Sequence, residues 1–230
     1  MLRAVAGSSA GAPAAFVAPQ AYTWATKPAA ASSTGMLIRI TDVGGGTTNV
    51  GGGTHWFSNG TRWKLVNSSG DIDTIDTANA GTANTTPQNL NPNAATVQAG
   101  VINANDRIIL DLVLSKSGGA DTATFAIRLG SLFTATDAAL GTITLTTEQS
   151  ARVQVKWKRT GSNTIQRQGP SVILSSFGGA TGVFPTAVTL NGADAFDTTA
   201  MRLGLWQTMT GGTEFVTVQD LQLALFTTDS

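Results

Sequence analysis

Ile108, Leu110, Leu112 and Leu114 alternate with Ile109, Asp111, Val113 and Ser115, and this period-two spacing recurs along the chain. Phe125, Ile127 and Leu129 alternate with Thr124, Ala126 and Arg128. Val153, Val155 and Trp157 alternate with Arg152, Gln154, Lys156 and Lys158. Successive side chains of an extended strand point to opposite faces, so each run offers one face to a core and one to water. Helix-favouring residues are sparse. Glutamate occurs only at Glu148 and Glu214, lysine is scarce, and Thr, Gly and Val are abundant. That bias favours strands and turns over helices. Further strands are expected at residues 142–146, 172–176, 186–190 and 201–207. The chain reads as all-β.

The last run carries a phase change. Val216 and Val218 share one parity, whereas Leu221, Leu223 and Leu225 fall on the other. An extra residue around Gln219–Asp220, of the kind a β-bulge supplies, would bring all five onto one face.

Composition narrows the function. Charged residues make up 12% of the chain and the formal net charge is zero, so sparse Lys and Arg leave no overall electrostatic footprint for nucleic acid or an anionic membrane. Hydrophobic residues make up 41%, enough for a core in 230 residues. The absence of cysteine excludes disulfide scaffolds, thiol catalysis and Cys-ligated zinc. Met1 to Pro19 superficially resembles a signal peptide, but Gly7, Ser8, Ser9, Gly11 and Pro13 break its apolar region. No stretch is long and apolar enough for a transmembrane helix.

Four parts follow from the punctuation. Residues 1–34 are rich in Ala, Ser and Pro, with Phe16, Tyr22 and Trp24 as aromatic anchors, and read as an extended attachment arm. Residues 35–67 form a small β module with strands at 36–41, 54–58 and 61–66. Asn59–Gly60 is a strong signal for a two-residue type I′ hairpin. Residues 68–93, rich in Asn, Thr, Asp and Ala, read as a polar linker or loops. Residues 94–230 hold about eight strands with short turns, suited to a jelly-roll-like antiparallel β-sandwich. The expected fold is thus a small β-hairpin module plus that sandwich.

Catalytic and metal motifs are weak. The glycine-rich run at 44–53 lacks the Gly-Lys-Ser/Thr ending of a phosphate loop. Asp71, Asp73 and Asp76 lack the glycine and terminal glutamate of a calcium loop. His55 is the single histidine, and no nucleophile elbow accompanies it. Sequence spacing reveals no glycosidase carboxylate pair. No enzymatic activity, catalytic residue, metal or cofactor is expected. Trp56 and Trp63 flank the Asn59–Gly60 turn and read first as staples of a module too small for a full core. Exposed, they would be the candidate contacts for a sugar ring. Arg62 is placed to stack on an indole or to pair with Asp42.

The stretch Gly35-Met-Leu-Ile-Arg-Ile-Thr-Asp-Val-Gly44, followed by His55-Trp-Phe-Ser-Asn-Gly-Thr-Arg-Trp-Lys64, resembles a small module of phage tail-fibre, spike and other minor virion proteins. Val97–Ile102, Asn105–Leu110, Ala126–Gly130 and Phe215–Leu225 are similar to the β-sandwich that often follows it. The resemblance implies a virion component: a tail-fibre, head-spike or decoration protein whose arm docks on other virion structural proteins while the sandwich faces outward for host attachment. Symmetric homo-oligomers, a homotrimer among them, would form by apolar burial and edge-strand pairing. The alternative is a carbohydrate-binding module or lectin for host surface glycan. Exposed Trp56, Trp63, Trp157 or Trp206 would favour it, and burial of every Trp would favour a purely structural role. Neither reading involves nucleic acid or membrane insertion.

Overall fold

The computed structural model describes residues 19–42, 54–66, 69–75, 78–147, 150–175 and 180–228. Among them there is no α-helix, and a short 3₁₀ turn at Ala30–Ser32 is the helical element. The expected glycine-rich loop at 44–53, Asp76, Glu148 and the first eighteen residues of the arm lie outside the described residues.

A small sheet comes first. Its strands are β1 (Gln20–Tyr22), β2 (Leu37–Ile40), β3 (Thr54–Ser58) and β4 (Trp63–Leu65), in the spatial order β1-β2-β3-β4. β1 runs parallel to β2, and the other pairs are antiparallel. Within the expected arm, residues 20–22 form an edge strand of this sheet and Trp24 enters the core.

The hairpin also differs from expectation. Only Gly60, at φ 89°, takes the left-handed region, whereas a type I′ turn requires Asn59 to do so as well. Ser58 pairs with Trp63, so the loop spans four residues. The Asn59 side chain sets its shape by accepting from the backbone N–H groups of Thr61 (3.0 Å) and Arg62 (2.9 Å).

The remaining strands are β5 (Ser69–Ile75), β6 (Asn79–Ala80), β7 (Gln88–Asn89), β8 (Thr96–Val97), β9 (Arg107–Lys116), β10 (Ala123–Gly130), β11 (Ala138–Leu145), β12 (Ser150–Arg159), β13 (Thr164–Arg167), β14 (Val172–Ser175), β15 (Ala180–Val183), β16 (Ala187–Thr189), β17 (Met201–Met209) and β18 (Val216–Phe226). One sheet follows the path β15-β11-β10-β17-β7, with β8 also on β17. The other follows β16-β13-β12-β9-β18-β5, with β14 on β12 and β6 on β18. The chain changes sheet between β9 and β10 and again between β11 and β12, and the two sheets enclose one core as a β-sandwich.

The period-two runs act as the alternation requires. Ile108, Leu110, Leu112 and Leu114 are buried between β12 and β18, and across the core Phe125 and Ile127 are fully buried. Each such side chain stabilises the fold by about 1.5–3 kcal/mol relative to exposure. The phase change in β18 is a bulge. Val218 pairs with Leu114 and Asp220 with the next residue, Val113, leaving Gln219 as the extra residue. Val216, Val218, Leu221, Leu223 and Leu225 all reach the core.

The stretch 68–93 contains structure that its polar composition hides. β5 pairs with β18 as the outermost strand of the larger sheet, and β6 and β7 add short pairs. Asp73 of β5 is buried and accepts from the Asn91 side chain at 2.8 Å. Lys116, at an inward position of β9, is likewise enclosed. It donates to the main-chain oxygens of Asp121 and Thr146 and pairs with Glu214 at 3.6 Å. Buried polar groups persist only when partnered in this way.

Candidate functional site

The small sheet has two unlike faces. Ile38, Ile40, Trp56, Ser58, Trp63 and Leu65 point inward and are buried. Leu37 and Phe57, directly paired across β2 and β3, are 45% and 42% exposed on the outer face. Arg39 lies opposite His55, and Lys64 opposite Phe57, on that same face.

The inner face joins the sandwich through Trp24. Its backbone N–H donates to Asp42 Oδ1 at 2.6 Å, and its indole N–H donates to the carbonyl of Ala99 at 2.8 Å. Its ring meets Trp56 edge-on, with centroids 4.8 Å apart. Such an arrangement adds about 0.5–1.5 kcal/mol beyond area burial. The aromatic partner of Trp56 is therefore Trp24, and Trp56 itself pairs across the hairpin with Leu65. Trp63 is held by its own indole N–H, which donates to the carbonyl of Pro28 at 2.9 Å.

Arg62 does not reach Asp42. Its guanidinium donates to Asp106 Oδ1 at 3.4 Å and to the carbonyl of Thr228 near the chain end. Asp106 has no exposed surface, and it also accepts from the backbone N–H groups of Asn103 (2.8 Å) and Thr228 (3.0 Å). One carboxylate thus ties the small sheet, the loop before β9 and the end of β18 together.

Beside this knot lies a cleft of about 240 Å³, lined by Trp24, Lys27, Ala30, Arg62, Trp63, Ala99, Gly100 and Asn103. Lys27 Nζ sits 3.9 Å from the centroid of the Trp24 ring and donates to the Trp24 carbonyl at 2.9 Å. Burial lowers the Lys27 pKa below the ordinary lysine value, and the nearby Asp42 carboxylate partly offsets that. Sequence patterning gave no sign of this cleft. Its residues come from three separated stretches; Trp24, Trp63 and Arg62 stood out singly in the sequence, but nothing along it joined them to Lys27 and Asn103.

Of the sequence candidates for ligand contact, Trp63 reaches the edge of this cleft and the others fall elsewhere. Trp56 and Trp63, offered as sugar contacts, are 0% and 4% exposed, so neither ring presents a face to solvent. Burial of their rings against Trp24 and the sandwich is the physical reason. Trp157 is core, and Trp206 is half-buried on β17. His55 is exposed on the hairpin beside Trp56. Asp71 and Asp73 lie in β5, and among the described residues no group of three His, Asp or Glu is placed to hold a metal ion.

The fold defines an all-β protein, a two-sheet sandwich with a small four-stranded sheet packed on it. No protein-family model matches the chain, and no curated protein is similar to it. A solved structure that it resembles is the CBM2 module of the evolved Dit of Lactobacillus casei BL23 phage J-1. The identity is 13% and the TM-score 0.26, over 60% of this chain and 70% of that one. A likeness this loose carries no argument about function.

Proposed function

We propose that this chain is a structural protein of a bacteriophage-type particle, docking by its N-terminal region on other virion proteins and displaying the β-sandwich outward. The observation behind this reading is that the two stretches resembling the phage module, at 35–44 and 55–64, supply adjacent strands of one small sheet. That sheet uses its inner face on the sandwich and leaves Leu37 and Phe57 open beside Arg39 and Lys64, a combination suited to a protein neighbour. Burial of Trp56 and Trp63 weighs against an aromatic sugar platform and in favour of the structural role. Self-association into a trimer or another symmetric oligomer belongs to the same proposal.

A cryo-EM map of purified particles tests it. The expected result is density for this chain, with its N-terminal region against a neighbouring virion protein and the sandwich outermost. Absence of the chain from the particle would remove the proposal and leave a free binding protein as the account.

A further inference from the structure

Charge is unevenly placed along the chain. Residues 1–66 contain five of the fourteen basic residues and one of the fourteen acidic residues, giving this part +4 and the remainder −4. The zero net charge therefore conceals a basic end and an acidic sandwich. Such asymmetry points to an anionic partner for the basic part.

The basic part holds a shaped concavity as well. Both charged residues that line the junction cleft, Lys27 and Arg62, are cations, and no acidic side chain lines it. Asp106 pairs with Arg62 from behind the cleft, and Asp42, which accepts from the Trp24 backbone N–H, is near enough to act on Lys27, but neither carboxylate lines the cleft. Arg62 keeps its Nε–H buried without an acceptor among the described residues. That donor becomes available to an oxygen of a bound acid if the guanidinium turns toward the cleft. Among the described residues the amide of Asn103 makes a long 3.4 Å contact, to the carbonyl of Val101, so it can turn toward a ligand at little cost. Hydrogen bonds to Ala99 and Pro28 hold the Trp24 and Trp63 rings in place as apolar walls.

We propose that this cleft is a binding site for the acid group, carboxylate or phosphate, of a sugar-sized ligand. Lys27 and Arg62 bind the anionic oxygens, Asn103 donates one further hydrogen bond, and the indole edges hold the body of the ligand. The volume is below that of a drug-sized pocket and suits a single ring. The site needs no exposed tryptophan face and stands independently of the particle reading. One further enclosed charge cluster, Lys116 with Glu214, has its groups satisfied by one another and by backbone.

The test is a titration of the ¹⁵N-labelled full chain at low salt with galacturonic acid, glucose phosphate and neutral glucose. The indole N–H signals of Trp24 and Trp63 and the amide of Gly100 should shift with at least one acid and not with glucose. Whichever acid binds more tightly identifies carboxylate or phosphate as the group. Lys27→Gln should weaken binding about tenfold, equivalent to one lost charge-assisted contact. Asn103→Ala, which keeps both cations, should weaken it less and serves if Lys27→Gln disturbs the fold. Equal shifts with glucose, shifts confined to other residues, or unchanged titrations in both variants would overturn the proposal.

Discussion

Arg62 in the hairpin of the small sheet and Asp106 at the foot of β9 meet at 3.4 Å, with side chains 15% and 0% exposed. The contact is the polar counterpart of the Trp24 anchor: each ties the small sheet to the sandwich.

Removing the carboxylate should be severe. Asp106→Ala leaves the Arg62 guanidinium short of its partner and orphans the N–H groups of Asn103 and Thr228. Breaking a buried pair from one side costs about 3–5 kcal/mol. Urea unfolding should show that loss. Hydrogen exchange should show faster opening at the small sheet and at the end of β18 together, and a change confined to one of them would refute the shared knot.

Trp24 separates packing from hydrogen bonding. Trp24→Ala should cost about 3–5 kcal/mol, as large-to-small core changes do. Trp24→Phe keeps most of the apolar contact and loses the hydrogen bond to Ala99, about 1 kcal/mol. Limited proteolysis within the small sheet, at residues 54–66, should accelerate in the first variant and barely in the second.

The bulge in β18 makes a deletion prediction. Because Val218 and Asp220 pair with adjacent residues of β9, removing Gln219 leaves the register intact and gives Val216, Val218, Leu221, Leu223 and Leu225 one unbroken alternation. The deletion forfeits the bond from Gln219 to Ser115 at 2.6 Å. It should change stability by no more than about 1 kcal/mol. Deleting Gln222 instead turns Leu223 and Leu225 outward, at about 1.5–3 kcal/mol each. Denaturant midpoints of the two deletions should therefore differ widely, and similar midpoints would count against the assigned register.

Acid should act through two arginine–carboxylate pairs, one of them with its arginine buried. Arg152 donates to Asp111 through Nε at 2.9 Å, with a second bond through Nη2, and lowers the Asp111 pKa below its ordinary 3.8. Arg159 does the same to Asp197. A carboxylate with a depressed folded pKa contributes stability that is present above its unfolded value and lost as pH falls through the folded one. The unfolding midpoint should decline as pH drops below about 4, with a shallower slope in the Asp111→Asn, Asp197→Asn double variant. Parallel slopes for parent and variant would exclude these pairs as the source.

Local spacing by itself determined the all-β class, the inward sets of β9, β10 and β12, and the bulge near Gln219. Each follows from the period of two along a single strand, which needs no knowledge of the partner. It failed where tertiary pairing overrides composition. The polar run at 69–75 becomes a strand because β18 offers it an edge, and Asp73 is tolerated inward because Asn91 reaches it. Asn59–Gly60 promised a two-residue turn, yet the Asn59 side chain captured two backbone donors and lengthened the loop. The junction was legible only in fragments. Trp24 reaches Ala99, 75 residues away, and Arg62 reaches Thr228, 166 residues away. Contacts at that separation depend on how the small sheet seats against the sandwich. Only the folded chain brings Lys27, Arg62 and Asn103 to one cleft, because packing of the two inner faces, and no pattern along the sequence, sets their distance.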